Sequence, residues 1–143
     1  MVETPSTETS AAAADVDHDE PRGNLELRTI AMPADTNPAG DIFGGWLMGQ
    51  MDIAAGIAAT QFAQGRIATV AVDGFTFHKP VKVGDVVCCY TDILKVGTTS
   101  LTIRVEAWAL RYRQPGRRNK VTEGTFTFVA LDQDGNKRPI KPS

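Results

Sequence analysis

One stretch of this chain has the pattern of a long, buried α-helix, and it constrains the fold more than any other feature. The stretch begins at Gly44 or Gly45 and stops at Gly65, a residue type that commonly follows a helix. Apolar residues lie on nearly all sides of it at helical spacing, which is typical of a buried helix. Asp52 lies at the edge of the apolar side, about two turns from the start. The rest of the chain must therefore cover most of this helix.

Strand patterns fill the rest of the predicted domain. A short strand at 25–32 precedes the helix, and longer strands at 67–77, 86–96, 100–112 and 120–131 follow it, with short turns between them. Consecutive strands joined by short turns favour an antiparallel meander. The sequence therefore predicts an α+β fold in which a five-stranded antiparallel sheet curls round one long central helix.

The two ends of the chain are predicted to lie outside this domain. Residues 1–23 hold six acids, one base and almost no large apolar residue. Such a segment buries too little surface to offset its ordering entropy, so we expect a disordered acidic tail whose removal changes neither stability nor activity. The domain is expected at 24–136, followed by a C-terminal tail at 137–143. Without the acidic segment, the rest of the chain has a small positive net charge. This charge is too small for a nucleic-acid binder but suits a small polyanionic ligand.

Composition also excludes several classes of protein. Cys88 and Cys89 are neighbours and so rarely reach disulfide geometry, which predicts reduced core residues in a cytoplasmic protein. The cysteines and the two histidines lack metal-ligand spacing, so no metal site is expected. No apolar run reaches the ~20 residues that cross a membrane, and the N-terminus lacks the pattern of a signal peptide.

The order of elements and several motifs resemble the hot-dog fold acyl-CoA thioesterases, and within them the YciA-like group. The resemblance covers roughly residues 25–135, and its motifs lie at 31–37, 40–46, 50–52, 69–73, 77–80, 83–90 and 97–100. It implies hydrolysis of acyl-CoA to a free carboxylic acid and CoA, with no cofactor. It also implies a homo-oligomer, in which dimers share a ten-stranded sheet, carry active sites at the dimer interface and often assemble in threes into hexamers. Neither nucleic acid nor membrane is expected as a partner.

The resemblance assigns the chemistry to Asp52, seven residues after the second glycine of the Gly-Gly pair. The carboxylate acts either as a general base toward water or as a nucleophile toward the thioester carbonyl, and the sequence leaves both open. From the residues alone, the plain alternative is a partly exposed helix acid or a local salt bridge. The Gly44-Gly45 pair is either a helix N-cap with space for close packing or part of an oxyanion hole, with the amides of Gly45 and Trp46 as the expected donors. Asp41, where other branches carry Asn, either orders water or the partner's loop, or is a turn residue.

Further residues are expected to bind the substrate. Basic side chains suit the phosphates of CoA, although such charges are usually a solvated rim, and Asp73 is either a second carboxylate or an interface acid. The predicted set is Asn37, Gly44, Asp73, Lys79, Gly97, Thr98, Thr99, Ser100, Arg117 and Arg118. His78 is expected to be an ordinary surface or interface residue.

Two other functions remain as alternatives. A hot-dog hydratase or dehydratase uses a histidine near the helix start, where this chain has Phe43. A non-catalytic acyl-CoA sensor would bind without turnover. For the predicted thioesterase, the apolar, β-branched stretch at 67–77 is expected to pair with its own copy, because an unpaired strand edge of this kind favours association.

Overall fold

The computed structural model describes residues 20–111 and 116–140. It contains β1 (Asn24–Ile30), a short 3-10 turn (Pro33–Asp35), α1 (Gly44–Ala63), β2 (Ile67–Phe77), β3 (Val86–Val96), β4 (Ser100–Leu110) and β5 (Arg118–Ala130). The strands form one antiparallel sheet in the order β1-β3-β4-β5-β2. The predicted class, one long helix against a five-stranded antiparallel sheet, is confirmed.

One detail of the predicted topology is wrong. The strands β3, β4 and β5 form a meander, but β2 does not pair with β3, because β1 occupies that place. Instead, β2 lies at the opposite edge, beside β5. Three strand spacings of about 4.8 Å separate β2 from β3, and the intervening segment 78–85 is long enough to cross them, since eight residues reach roughly 26 Å. Both β1 and β2 are therefore edge strands.

The helix packs on the sheet along one side only. That side consists of small and medium apolar residues, which let the helix lie close to the strands: Leu47, Met51, Ala54, Ala55, Ala58, Ala59 and Ala63. On the other side Ile53 and Ile57 are 52% and 36% exposed, and Val70 and Val72 on β2 are also exposed. The expectation that the chain covers most of the helix is thus wrong for a single subunit. The uncovered side of α1 and the edge of β2 form one continuous surface, which is a candidate protein interface.

Arg22 lies in the predicted tail, but it contacts the fold. Its backbone N–H and its Nε donate hydrogen bonds of 3.2 and 3.0 Å to the carboxylate of Glu106. Glu106 is fully buried and also accepts a hydrogen bond of 3.0 Å from Nε1 of Trp108. A buried carboxylate needs such partners, so the ordered part of the chain begins before the predicted boundary. Residues 1–19 lie outside the described residues, and the tail remains a prediction there.

The C-terminal segment also packs on the domain. Nη2 of Arg138 donates a hydrogen bond of 3.0 Å to the carbonyl of Ala63, at the end of α1. The N–H of Ile140 bonds to the carbonyl of Thr98 at 2.8 Å. Gln64, rather than Gly65, has the left-handed conformation that ends the helix, with φ of 53°. The domain therefore extends beyond its predicted C-terminal boundary, and residues 141–143 lie outside the described part.

Gly124 on β5 leaves space for the ring of Phe75, which holds β2 against the sheet. A Cβ added at Gly124 would lie 2.6 Å from that ring, which also packs on Phe126 with ring centroids 5.6 Å apart. We expect Gly124→Ala to lower the free energy of unfolding by about 1–3 kcal/mol, measured by urea denaturation. In a Phe75→Leu background the same substitution should cost less, and an equal cost in both backgrounds would show that the clash is not the cause.

Candidate active site

The start of α1 presents backbone amides without a side-chain cap. The preceding residue, Phe43, has extended backbone angles and no polar group that could bond to the first turn. A Cβ placed at Gly45 would have no neighbour within 4 Å, whereas one at Gly44 would lie 3.4 Å from the ring of Phe77. The first amides of a helix have no internal partner and carry the positive end of its dipole. A helix start of this kind can stabilise a negatively charged oxygen, which is the predicted role of the amides at Gly45 and Trp46.

The loop before the helix is held by its own polar side chains. Oδ1 of Asn37 accepts hydrogen bonds from the N–H groups of Ala39 and Asp41, at 3.0 and 3.1 Å. The carboxylate of Asp41 forms an ion pair with Lys82. The side chain of Asn37 therefore shapes the loop, and Asp41 joins the loop to the segment before β3.

Asp52 lies near the middle of α1 and is half-buried. Its Oδ1 accepts a hydrogen bond of 2.8 Å from Oγ1 of Thr69 on β2. Among the described residues it forms no ion pair, so the alternative of a local salt bridge does not hold there. Its intermediate burial agrees with the other alternative, a partly exposed helix acid. A carboxylate that is held by one hydroxyl and is otherwise unpaired is free to take a proton or to attack a carbonyl.

The two halves of the predicted chemistry lie apart within one subunit. Asp52 is seven residues beyond Gly45 on the same helix, which is about 10 Å along the axis. A reacting carbonyl must lie roughly 3 Å from both the carboxylate or its water and the oxyanion donors. One subunit therefore does not bring Asp52 and its own helix start to the same carbonyl.

The predicted substrate-binding residues also divide into two groups. Gly97, Thr98, Thr99 and Ser100 form the turn between β3 and β4, where the carbonyl of Thr99 accepts a hydrogen bond from Ala130 at the end of β5. The basic group, Lys79, Arg117 and Arg118, lies at the other end of the sheet, where β2 ends and β5 begins. Strands of this length extend over roughly 35 Å, so one subunit does not unite the two groups.

The remaining predicted residues lie on the surface. Asp73 is exposed in the middle of β2, and Arg117 is exposed just before β5. Nη2 of Arg118 lies 3.8 Å from the carboxylate of Glu20, and Nζ of Lys79 lies 3.3 Å from Oδ1 of Asn119. These cations are available to a polyanion, because their present partners are solvent-exposed and weak.

A cavity of about 360 Å³ lies beside the start of α1. Its lining includes Gly44, Leu47, Phe77 and His78. His78, which is predicted to be an ordinary surface or interface residue, is half-buried and lines this cavity. No local sequence pattern predicts that His78 lines a cavity, because the cavity is formed by residues from α1 and from the segment after β2.

A second cavity of about 450 Å³ lies between the later part of α1 and the strands β1 and β3. Its charged lining residues are Glu26 and Asp92. Two acids make this cavity a poor match for a phosphate-bearing ligand. Of the two cavities, the one beside the helix start fits an apolar acyl chain better.

The cysteines are not candidates for catalysis. Cys88 and Cys89 are free and buried, as predicted. Burial raises the pKa of the Cys89 thiol to about 12, so it stays protonated near neutral pH and is a poor nucleophile. Within 20–111 and 116–140, no group of three His, Cys, Asp or Glu residues is arranged to hold a metal ion. No helix in those segments is long and apolar enough to cross a membrane.

Comparison with known proteins identifies the family of this fold and site. Residues 39–115 match the Thioesterase superfamily. The chain is 56% identical over 122 residues to the acyl-CoA thioester hydrolase YciA of Salmonella typhimurium, covering 84% of this chain and 92% of that protein.

Two solved structures are similar throughout the fold. A hexameric thioesterase from Yersinia pestis has 54% sequence identity and a TM-score of 0.83, with 87% of this chain and 100% of that chain covered. A hexameric hotdog fold thioesterase of Campylobacter jejuni has 40% identity and a TM-score of 0.78, with 83% of this chain and 91% of that chain covered. The predicted family and hot-dog fold are thus confirmed, and the chain belongs to the Thioesterase superfamily.

Proposed function

We propose that this protein hydrolyses acyl-CoA thioesters to free carboxylic acids and CoA, with Asp52 as the catalytic carboxylate. Two features of α1 together carry the proposal. The helix start has no side-chain cap, and the carboxylate of Asp52 on the same helix has no ion-pair partner among the described residues. The identity of 56% with an acyl-CoA thioester hydrolase supports the same substrate class.

We propose that two subunits share each active site. Thr69, which contacts Asp52, lies near the start of β2, whereas Phe77, which lies beside Gly44, ends the strand. If β2 pairs antiparallel with its own copy about its centre, the start of one strand lies opposite the end of the other. Asp52 of one subunit then approaches the helix start of its partner. The same two-fold axis brings the turn at 97–100 of one subunit toward the basic end of the other.

This pairing also covers the exposed apolar surface. The uncovered side of α1 and the edge of β2 carry Ile53, Ile57, Val70 and Val72, and burying such residues is the usual source of stability at a homodimer interface. We propose a dimer with a ten-stranded sheet, and assembly of three dimers into a hexamer. The hexameric relatives support this assembly.

The reaction follows one of two routes, both without a metal or cofactor. As a general base, Asp52 takes a proton from water, and the resulting hydroxide attacks the thioester carbonyl. As a nucleophile, Asp52 attacks the carbonyl itself and forms a mixed anhydride, which water then hydrolyses. In both routes the amides at Gly45 and Trp46 of the partner stabilise the oxyanion. The C–S bond breaks, and the CoA thiolate takes up a proton. Label in Asp52 after a single turnover in ¹⁸O-water identifies the nucleophilic route with attack of water on the Asp52 carbonyl of the anhydride.

The phosphates of CoA are proposed to lie at the basic end of the sheet, near Lys79, Arg117 and Arg118. Asp41 fixes the loop beside this region through its ion pair with Lys82. We also propose a cytoplasmic location, since two buried free cysteines fit a reducing compartment.

A thiol-trapping assay with a panel of acyl-CoAs tests the function. Release of free CoA from saturated acyl-CoAs is the expected result. A change in the enoyl chromophore without CoA release would instead indicate a hydratase. Tight binding without turnover would indicate an acyl-CoA sensor.

Thr69 is proposed to position the Asp52 carboxylate. We expect Thr69→Val to lower kcat roughly 2- to 10-fold, as for the loss of one hydrogen bond, with little change in KM because Thr69 does not bind CoA in this proposal. Thr69→Ser retains the hydroxyl and should keep most of the activity. A rise in KM with unchanged kcat in Thr69→Val would place Thr69 in substrate binding instead.

A further inference from the structure

We infer that the gap between Gly44 and the ring of Phe77 admits a single methylene chain, and that it makes the protein select straight acyl groups over groups branched next to the thioester. This inference rests on the proposed thioesterase function and adds the shape of the acyl group and the two residues that select it.

The gap lies at the mouth of the cavity of about 360 Å³ beside the start of α1. Gly44 and Phe77 both line this cavity, and both are exposed. Ile42, Leu47 and Val81 also line it and are buried. The buried residues form the apolar inner end of the cavity, and the two exposed residues stand where it meets the surface. An apolar cavity of this size is typical of a small-molecule site.

The width of the gap follows from the backbone of Gly44. A Cβ built there would lie 3.4 Å from Cζ of Phe77 and 3.6 Å from Cε1, which is ordinary van der Waals contact. The gap is therefore one carbon atom thick. A methylene group fits between the backbone and the ring, whereas a second carbon beside it has to displace one of them, which is unfavourable in a packed structure.

The ring of Phe77 is held in place from behind. It stacks on the ring of Phe75 with centroids 5.9 Å apart, and Phe75 in turn packs on Phe126 and over Gly124. The backbone of Phe77 is paired with Thr122 on β5. Phe77 is thus the exposed end of a row of rings that is fixed on the sheet, so the gap does not widen without disturbing that row.

A thioester bound at the helix start brings its acyl chain to this gap. In the proposed mechanism the amides at Gly45 and Trp46 hold the carbonyl oxygen, and the partner's Asp52 or its water approaches the carbonyl carbon. The acyl chain leaves that same carbon, and the cavity lined by Gly44 adjoins these amides. A straight chain passes Phe77 one methylene thick, whereas a methyl branch on carbon 2 adds a second carbon at the narrowest place.

The test compares three six-carbon substrates in the full-length protein: hexanoyl-CoA, 2-methylpentanoyl-CoA and 4-methylpentanoyl-CoA. The kcat/KM of each is measured by thiol trapping. A branch on carbon 2 slows thioester hydrolysis in itself, so each variant is compared with the wild type by its ratio of branched to straight substrate. Phe77→Ala should raise the ratio for 2-methylpentanoyl-CoA by roughly 5- to 100-fold, which corresponds to the usual cost of overpacking. The ratio for 4-methylpentanoyl-CoA should change less.

Phe43→Ala is the matched control. Phe43 is an exposed phenylalanine at the same helix start, but it is not among the residues that line the cavity. Its truncation removes the same atoms as Phe77→Ala and should leave both ratios at their wild-type values. An equal rise in the two variants would show a general loosening of the helix start and would overturn the inference.

Gly44→Ala tests the gap from its other side. The added methyl fills the gap in ordinary contact with the ring, and alanine is a better helix residue than glycine, so the Tm should not fall. The kcat/KM for hexanoyl-CoA should nevertheless fall by roughly 5- to 100-fold, and Phe77→Ala in the same chain should restore part of it. A loss that Phe77→Ala does not relieve would place the methyl over the amides rather than in the gap, and would overturn the inference.

The outcomes separate this inference from the function on which it rests. Turnover of hexanoyl-CoA with the wild-type ratio retained in Phe77→Ala would overturn the inference alone, and so would unchanged turnover in a folded Gly44→Ala protein. No turnover of any acyl-CoA by the wild type would overturn the proposed function, and the inference with it.

Discussion

Replacing Asp52 with alanine should lower kcat by roughly 10²–10⁴-fold, the usual contribution of general acid–base catalysis, while the protein stays folded. Asp52 is half-buried and is held by one hydrogen bond from Thr69, so its loss leaves neither a large cavity nor an unpaired buried charge. The variant should therefore keep a Tm and a scattering mass close to those of the wild type. Steady-state kinetics with a saturated acyl-CoA measure the loss.

Two further variants make the Asp52 result specific. Asp52→Asn keeps the shape of the side chain and its acceptor for Thr69 but removes the charge, and it should be nearly as inactive as Asp52→Ala. Asp134→Ala removes an exposed carboxylate from the turn after β5 and should leave turnover unchanged. Near-native turnover in a folded Asp52→Ala protein would rule out the assignment of Asp52 as the catalytic carboxylate.

Two inactive variants should restore activity when they are mixed within one oligomer. Asp52→Ala removes the carboxylate, and Gly45→Val places a branched side chain over the amides where a Cβ has no neighbour within 4 Å in the described chain. If each site takes Asp52 from one subunit and the helix start from the other, a mixed dimer has one intact site. Random mixing in equal amounts then leaves about one quarter of the sites intact. Co-expression with two different affinity tags, followed by kinetics on the doubly tagged fraction, measures this recovery.

The controls for this experiment follow from the shared site. Each variant alone, and a mixture of the two pure proteins before subunit exchange, should remain inactive. A doubly tagged, folded oligomer without activity would contradict the shared site. Full wild-type activity at the scattering mass of a monomer would contradict the requirement for a dimer.

The local elements of this fold are readable from the sequence because they depend on short-range patterns. The strands Ile67–Phe77 and Val86–Val96 have the bounds that alternation and flanking turn residues predict. The helix begins at Gly44 and ends at Ala63, within one residue or two of the boundaries that its glycines suggest. Family motifs lie on these elements, so the resemblance also predicted the fold class and the family.

Other features depend on the tertiary structure, because they join residues that are far apart in the chain. Periodicity identifies β2 as a strand but not its neighbour, and the long link after it lets it cross to β5 rather than pair with β3. The contact between Thr69 and Asp52 spans 17 residues, and that between Arg22 and Glu106 spans 84. Neither leaves a local signal.

The sequence by itself therefore determined the helix and the strands, since each is encoded in a local pattern of residues. The candidate carboxylate, Asp52, was assigned by the resemblance of the sequence to a known family. Only the tertiary structure decided that Asp52 contacts Thr69 on β2, that α1 keeps one side uncovered, and that His78 lines a cavity. These are relations between elements. They are set by how a helix with a stripe of alanines packs on a twisted sheet, and no local residue pattern specifies them.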